Sequence, residues 1–202
     1  MKKIGVLIVC ITVLFTISSC SLFSSKAPLK HYYQVYYQPQ VGSEQPIKAT
    51  LRIKTFDADK AYKKYNLVYR TSFEEMFYYN THFWASRPDD MITDLVANHF
   101  AKQRVFSDII ITMDKKPNYV LSGRILALDE VIEDEKSYAR VAIIFELKDY
   151  KTTDVIVAHS FDTKLEAKGR KPVDVVRAMG EIINSETEIF ISKIYETLES
   201  DR

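Results

Sequence analysis

The chain has 202 residues, with 28 basic and 27 acidic side chains and a formal net charge of +1. This balance provides no excess of positive charge for binding nucleic acid, so we expect no nucleic-acid partner. Only five glycines occur in the whole chain, too few for the phosphate-binding loops and nucleophile elbows that need glycine where the backbone turns sharply.

The amino terminus has the pattern of a secretory signal peptide. A basic head at residues 1–3 (MKK) precedes an apolar run over residues 4–17, which is shorter than the roughly 20 residues that a membrane span needs. The run ends in Ile-Ser-Ser-Cys at residues 17–20, a sequence that resembles the bacterial lipobox. We therefore predict a lipoprotein signal peptide over residues 1–19; the alternative is an ordinary secreted protein with a chance cysteine at that position.

A lipobox cysteine receives a diacylglycerol on its thiol and, after cleavage, an acyl chain on the new amino group. We expect both on Cys20, and no other cofactor. Two or more acyl chains hold a protein stably on a bilayer. Residues 20–30 would then form an acylated tether. Ser21 stands where inner-membrane lipoproteins usually carry aspartate, which favours the periplasmic face of the outer membrane.

Alternating apolar residues predict strands along most of the remaining chain. We expect them at residues 31–38, 48–56, 66–70, 74–79, 109–111, 119–132, 137–150 and 154–167. Short connections between the last three predict an antiparallel meander. One helix is predicted over about 88–103, and a second runs from Pro172 to the end of the chain. Gly180 on the apolar face of the second helix would let that helix approach the sheet closely.

These elements predict a single mixed α/β domain over residues 31–202. It would contain a mixed sheet of six or seven strands, with a largely antiparallel meander in its second half, packed by two helices. No internal repeat and no second domain boundary is indicated.

Catalytic or metal-binding patterns are not evident in the sequence. None of His31, His82, His99 and His159 has a partner at metal-ligand spacing, so we predict no metal site. The acidic group within residues 129–135 lacks the central glycine of a calcium loop, and we interpret it as a solvated hairpin tip. No Ser/His/Asp set is indicated, so we predict that the protein is not an enzyme.

Five aromatic residues lie close together before the first predicted helix: Phe77, Tyr78, Tyr79, Phe83 and Trp84. They could form the core where a strand leads into the helix. They could also face a lipid or a protein partner, because tyrosine and tryptophan combine an apolar body with a polar tip. The sequence leaves both interpretations open.

Several of these segments together resemble the ABC-type transport auxiliary lipoprotein family, the group that includes the intermembrane transport lipoprotein PqiC. They are the lipobox, HYYQVYYQP (31–39), LRIKTF (51–56), LVYR (67–70), MFYY (76–79), YVLSGRILAL (119–128) and the meander over 139–167. The most specific element is Trp-Ala-x-x-Pro, formed by Trp84, Ala85 and Pro88, which leads into the first helix.

The resemblance implies a three-layer α/β/α-like sandwich and a non-catalytic accessory lipoprotein of an ABC transporter. The implied partners are an ABC permease and ATPase and an MCE-domain protein, which together move lipids or other hydrophobic compounds across the envelope. Phospholipid is a further candidate ligand, and self-association to a homo-oligomer stays open. The candidate partner surface consists of the motif residues and their aromatic neighbours: Trp84, Ala85, Pro88, Tyr78, Tyr79 and Phe83. The alternative function is a lipid-binding carrier or an envelope hydrolase anchored by the same lipid.

Overall fold

The computed structural model describes residues 27–42, 44–112 and 115–200, with side chains as far as Leu198. The signal peptide and Cys20 therefore lie outside the described residues. The strands are β1 (His31–Tyr33), β2 (Ile47–Ile53), β3 (Asp57–Ala58), β4 (Asn66–Arg70), β5 (Met76–Trp84), β6 (Phe106–Ile110), β7 (Tyr119–Glu133), β8 (Lys136–Asp149) and β9 (Val155–Glu166). The helices are α1 (Pro88–Gln103) and α2 (Pro172–Ser200), and a short 3-10 helix covers Lys60–Tyr62.

Helix α1 has the predicted bounds. Proline occupies its first turn, where a missing N–H costs nothing, and Asp89 and Asp90 place negative charge at the positive end of the helix dipole. Arg104 ends the helix in a left-handed conformation, with φ 54°. The residue at the cap position is Arg87, whose Nε donates a hydrogen bond to Asp89 at 3.0 Å.

The sheet is organised around β7. Strand β8 pairs antiparallel with one side of β7 along nearly its whole length, and β9 pairs antiparallel with β8, which confirms the predicted meander. On the other side of β7, strands β2, β3 and β4 pair with it one after another, each in parallel. The order β1-β5-β4-β7-β2-β6 completes the sheet.

The prediction of a largely antiparallel arrangement is confirmed for the meander but is wrong for the sheet as a whole. Among the described residues, five of the eight strand pairings are parallel: β1 with β5, β2 with β6, and β7 with each of β2, β3 and β4. Only the β4–β5, β7–β8 and β8–β9 pairs are antiparallel. The parallel pairings join segments far apart in the chain, and no local signal of turn or loop length indicates them.

Both helices pack on the same face of the sheet, so the implied three-layer sandwich is also wrong. The Phe145 ring of β8 stacks on Phe190 of α2, with centroids 5.3 Å apart. Phe190 in turn approaches Phe100 of α1 at 6.2 Å. On the other side, Phe145 contacts Phe56, whose backbone N–H donates to Thr93 of α1 at 2.8 Å. One dry core therefore lies between the sheet and both helices.

The chain after β1 runs between the two helices as an extended segment. The sequence had predicted that the strand continues to residue 38, but β1 ends at Tyr33. Val35 in this segment is buried, and its N–H points at the sulfur of Met91 in α1. A Cβ atom at Gly180 of α2 would lie 2.8 Å from the carbonyl oxygen of Tyr36. Gly180 thus permits a close approach, as expected, but to this segment and not to the sheet.

Among the described residues, no helix combines the length and the apolar character needed to cross a bilayer.

Candidate functional site

A row of aromatic rings crosses the margin of the sheet formed by β4 and β5. Tyr69 stacks on Phe77 with ring centroids 5.1 Å apart, and it meets Tyr79 at 4.7 Å. Tyr79 continues edge-on to His82 at 5.1 Å. We call these four residues the tyrosine row. Its members are only partly buried, and Phe77 keeps 38% of its surface exposed, so the row is a surface and not part of the dry core.

Hydrogen bonds hold the polar tips of the tyrosine row. Tyr79 Oη donates to Glu130 Oε2 at 2.7 Å, and Tyr33 Oη and His82 Nδ1 are hydrogen bonded at 2.8 Å. Burial raises the pKa of Tyr79, and the carboxylate of Glu130 raises it further. Burial lowers the pKa of His82, with a smaller lowering from His31. The phenol of Tyr79 is therefore uncharged at neutral pH, and so is most of the His82 imidazole.

The opposite face of the same margin combines aromatic rings with lysines. Tyr32 of β1 lies 5.8 Å from Phe83 of β5, and Lys30 Nζ lies 5.6 Å from the centre of the Phe83 ring. Lys64 Nζ lies 4.2 Å above the ring of Tyr78. We call these five residues the lysine-aromatic face. Successive residues of a strand point to opposite faces, so Tyr78 and Tyr79 belong to different surfaces.

A buried ion pair joins this margin to the rest of the sheet. Arg70 Nε at the end of β4 donates to Asp129 Oδ2 in the middle of β7 at 2.7 Å, and both side chains are almost wholly buried. Tyr62 Oη donates to the same oxygen at 2.7 Å and accepts from Arg70 Nη2 at 2.9 Å. Burial and the adjacent carboxylate of Asp129 raise the pKa of Tyr62, so it stays a neutral donor.

The interpretation of residues 129–135 as a solvated hairpin tip is therefore wrong for its first two members. Asp129 and Glu130 are buried in β7, and only Asp134 and Glu135 form the turn, both with positive φ. An aspartate inside the otherwise apolar run of β7 is the sequence signal that could have identified a buried, paired charge. Nothing local in the sequence indicates that its partner is Arg70.

A cleft of about 270 Å³ opens beside this ion pair. Its walls include Phe73 and Val131, together with Arg70, Arg140 and Lys164. The exposed cations are already paired: Arg140 holds Asp162 through two hydrogen bonds of 2.8 and 2.7 Å, and Lys164 reaches Glu133 at 2.6 Å. A cleft at the small end of ligand-pocket volumes, with charged walls, offers little room for a lipid chain.

Two buried histidines have both ring nitrogens occupied by structural partners. His99 of α1 contacts Tyr37 Oη at 3.0 Å and Glu188 at 2.9 Å. His159 of β9 contacts Glu186 at 2.8 Å and Lys193 at 3.0 Å. Neither imidazole is placed to serve as the base of a serine or cysteine nucleophile.

No group of three or more His, Cys, Asp or Glu side chains is arranged to hold a metal ion within the described ranges.

The structure separates the residues that the sequence assigned to a partner surface. Trp84 keeps only 2% of its surface exposed, and Pro88 is also buried, so these two motif residues are structural and cannot form a contact surface. Ala85 is exposed. Tyr79 belongs to the tyrosine row, whereas Tyr78 and Phe83 belong to the lysine-aromatic face.

Comparison with solved structures shows that this fold has been observed before. The protein XCC0632 from Xanthomonas campestris, of the DUF330 family, superposes with a TM-score of 0.75 at 14% identity, over 84% of this chain and 97% of its own. A second, uncharacterized protein superposes with a TM-score of 0.68 at 13% identity, over 83% and 99%. The hypothetical protein CT253 from Chlamydia trachomatis gives 0.50 at 7%, over 75% and 98%. These likenesses establish the fold alone.

No curated protein matches the chain. The sequence profile of the ABC-type transport auxiliary lipoprotein component matches residues 33–188, a range that begins within β1 and ends within α2. It includes the tyrosine row and the buried ion pair, and it begins after Lys30 and Tyr32 of the lysine-aromatic face. The chain therefore belongs to the family of ABC-type transport auxiliary lipoprotein components.

Proposed function

We propose that this protein is a lipid-anchored accessory component of an ABC transport system of the MCE type, which moves lipids or other hydrophobic compounds between the membranes of the envelope. The observation that carries the proposal is the family match over the folded domain, together with Ile-Ser-Ser-Cys at residues 17–20. Membership of this family makes the protein a transport accessory lipoprotein of the cell envelope and supports a non-enzymatic role.

The anchor would be Cys20, carrying a diacylglycerol and an N-acyl chain, on the periplasmic face of the outer membrane. Each buried methylene contributes roughly 0.8 kcal/mol, and one acyl chain alone binds only marginally. Several chains on one residue therefore supply a stable attachment without any contribution from the folded domain.

The partners would be an ABC permease and ATPase and an MCE-domain protein, and the tyrosine row is the surface best suited to contact one of them. Its rings are partly exposed and stacked, and the side chains of Tyr79 and His82 are held by hydrogen bonds, so less conformational entropy remains to be lost on binding. Ala85 lies at the end of the same strand. The occupied histidines and the small charged cleft favour docking over hydrolysis or lipid carriage.

The anchor is tested by comparing three forms of the full chain in a Gram-negative host: wild type, Cys20→Ala and Ser21→Asp. Palmitate labelling and intact mass measure acylation, and density-gradient separation measures location. Acylated wild type should sediment with the outer membrane, unacylated Cys20→Ala should be released, and acylated Ser21→Asp should shift to the inner membrane. A Cys20→Ala protein that still sediments with the outer membrane would contradict the anchor.

The partner surface is tested by co-purification of the ABC permease, the ATPase and the MCE-domain protein with the acylated chain. The double variant Tyr69→Ser/Phe77→Ser should reduce their recovery several-fold. The matched control is Val155→Ser/Ile189→Ser, which removes two other exposed apolar side chains and should leave recovery unchanged. Equal recovery with both double variants would remove the tyrosine row from the interface.

A further inference from the structure

The first described residues of the chain expose large apolar side chains to solvent. Leu29 and Tyr32 keep 74% and 64% of their surfaces exposed. Tyr32 contacts Phe83 across the parallel β1–β5 pair, with ring centroids 5.8 Å apart. Strand β1 is also the last strand at this margin of the sheet, so the strand order leaves one side of it without a partner strand.

Positive charge accompanies these rings. Lys30 Nζ lies 5.6 Å from the centre of Phe83, and Lys64 Nζ lies 4.2 Å from that of Tyr78. A register shift in the β4–β5 pair places both rings on one face: Phe83 and Tyr78 are five residues apart on β5, but they pair with Asn66 and Val68, which are two residues apart on β4. The lysine-aromatic face thus combines three rings with two ammonium groups.

This combination matches the headgroup region of a bilayer. Tyrosine and phenylalanine rings enter the boundary between headgroups and acyl chains, with the tyrosine hydroxyl on the wet side. A lysine close to an anionic membrane surface contributes about 1 kcal/mol of attraction, and its aliphatic stem can lie along the rings while the ammonium group stays in water.

The position of the predicted anchor identifies the occupant of this face. Cys20 precedes Lys30 by ten residues, a stretch that spans at most about 35 Å when fully extended. The tether therefore leads directly into the lysine-aromatic face. Because the acyl chains hold the domain at a high effective concentration near the bilayer, an interaction too weak to bind membranes alone is enough to orient it.

We propose that the lysine-aromatic face rests on the headgroup region of an anionic phospholipid bilayer, the same leaflet that holds the acyl chains of Cys20. This inference rests on the proposed acylation. It makes the anchor a two-part device, in which the lipid retains the domain and the face orients it. The tyrosine row, on the opposite face of β5, is then turned away from the membrane toward partners.

The test measures the depth of a nitroxide on the acylated chain in proteoliposomes of phosphatidylethanolamine and phosphatidylglycerol. After signal removal the only native cysteine is the acylated one, so a new cysteine is labelled uniquely. The probe sites are Tyr32→Cys and Leu29→Cys; the latter precedes the first strand and keeps the test valid if Tyr32→Cys perturbs folding. The matched control is Val155→Cys, half exposed on β9 at the opposite margin of the sheet.

Power saturation compares collisions of the nitroxide with oxygen, which enriches in the bilayer, and with a water-soluble nickel chelate. The ratio of oxygen to nickel collisions should be several-fold higher at both probe sites than at Val155→Cys. It should fall when phosphatidylcholine replaces phosphatidylglycerol, and also when Phe83→Ser is added.

The possible outcomes distinguish a failure of the membrane contact from a failure of the lipid anchor. An acylated chain whose probe sites give the same aqueous ratio as the control overturns the membrane contact and leaves the anchor intact; it would also turn attention to a protein partner for this face. An intact mass without acyl chains overturns both the anchor and the inference that rests on it.

Discussion

The core under the helices and the β5 margin of the sheet use aromatic residues in opposite ways. Under the helices, Phe145, Phe100 and Phe190 are fully buried, and the Phe190 ring contacts both of the others. At the β5 margin, Tyr69 and Phe77 stack just as closely but stay partly exposed. The three buried rings are phenylalanines covered by the helices, whereas the tyrosine row combines two tyrosines, one phenylalanine and one histidine and stays partly exposed. Aromatic rings form a core where the helices cover them and a partly exposed row where they do not.

Removing a ring from the covered region should have the largest effect. Phe145→Ala leaves a cavity among Phe56, Phe161 and Phe190, and should lower the free energy of unfolding by about 3–5 kcal/mol. Urea denaturation followed by circular dichroism measures the loss. A loss below about 1 kcal/mol would mean that the rings under the helices are no better packed than those of the margin.

The ion pair that joins the two regions should come next. Asp129→Asn leaves the buried guanidinium of Arg70 without its counter-charge, and should destabilise the fold by about 3 kcal/mol. The control is Arg70→Met/Asp129→Leu, which removes both charges and should recover much of that stability. If the single and double variants are equally unstable, the stabilising effect of the Arg70–Asp129 pair comes from the hydrogen bonds to Tyr62 and not from its charges.

A smaller, pH-dependent effect should come from His99, a buried residue of α1 that contacts Tyr37 and Glu188. Burial lowers its pKa below the ordinary 6.5, against the opposing influence of Glu188. Below pH 6.5 the unfolded chain therefore binds more protons than the folded one, so the free energy of unfolding should fall as the pH drops from 6.5 toward the folded-state pKa.

The slope from this one group is at most about 1.4 kcal/mol per pH unit. Chemical denaturation of wild type and His99→Gln between pH 5 and 8 isolates it, because the difference in stability between the two proteins should shrink on acidification. A constant difference across this range would show that His99 titrates normally.

The smallest effect should come from the exposed margin. Phe77→Ser changes a ring that is 38% exposed, and should alter the free energy of unfolding by no more than about 0.5 kcal/mol. Urea denaturation beside Phe145→Ala measures the contrast directly. A loss comparable to that of Phe145→Ala would make the tyrosine row part of the core and remove its role as a docking surface.

Local patterns in the sequence were enough to predict most elements. The span of α1 follows from Pro88, two acidic residues and a helical apolar stripe, and the β4–β5 hairpin and the β7–β8–β9 meander follow from alternation and short connections. These signals act over a few residues, where backbone preference and side-chain spacing decide the structure. The family resemblance also came from local motifs, and the match over residues 33–188 confirms it.

What the sequence by itself determined is therefore the identity and approximate position of the elements, and the family. The tertiary structure alone decided the parallel pairings on β7, the common face of the two helices and the partnership of Arg70 with Asp129, 59 residues apart. It also decided which aromatic residues are buried: Trp84 is buried, and its neighbour Phe83 is only partly buried. The reason is physical, because burial depends on which distant segment covers a side chain, and that choice is made by packing of the whole domain and not by local sequence.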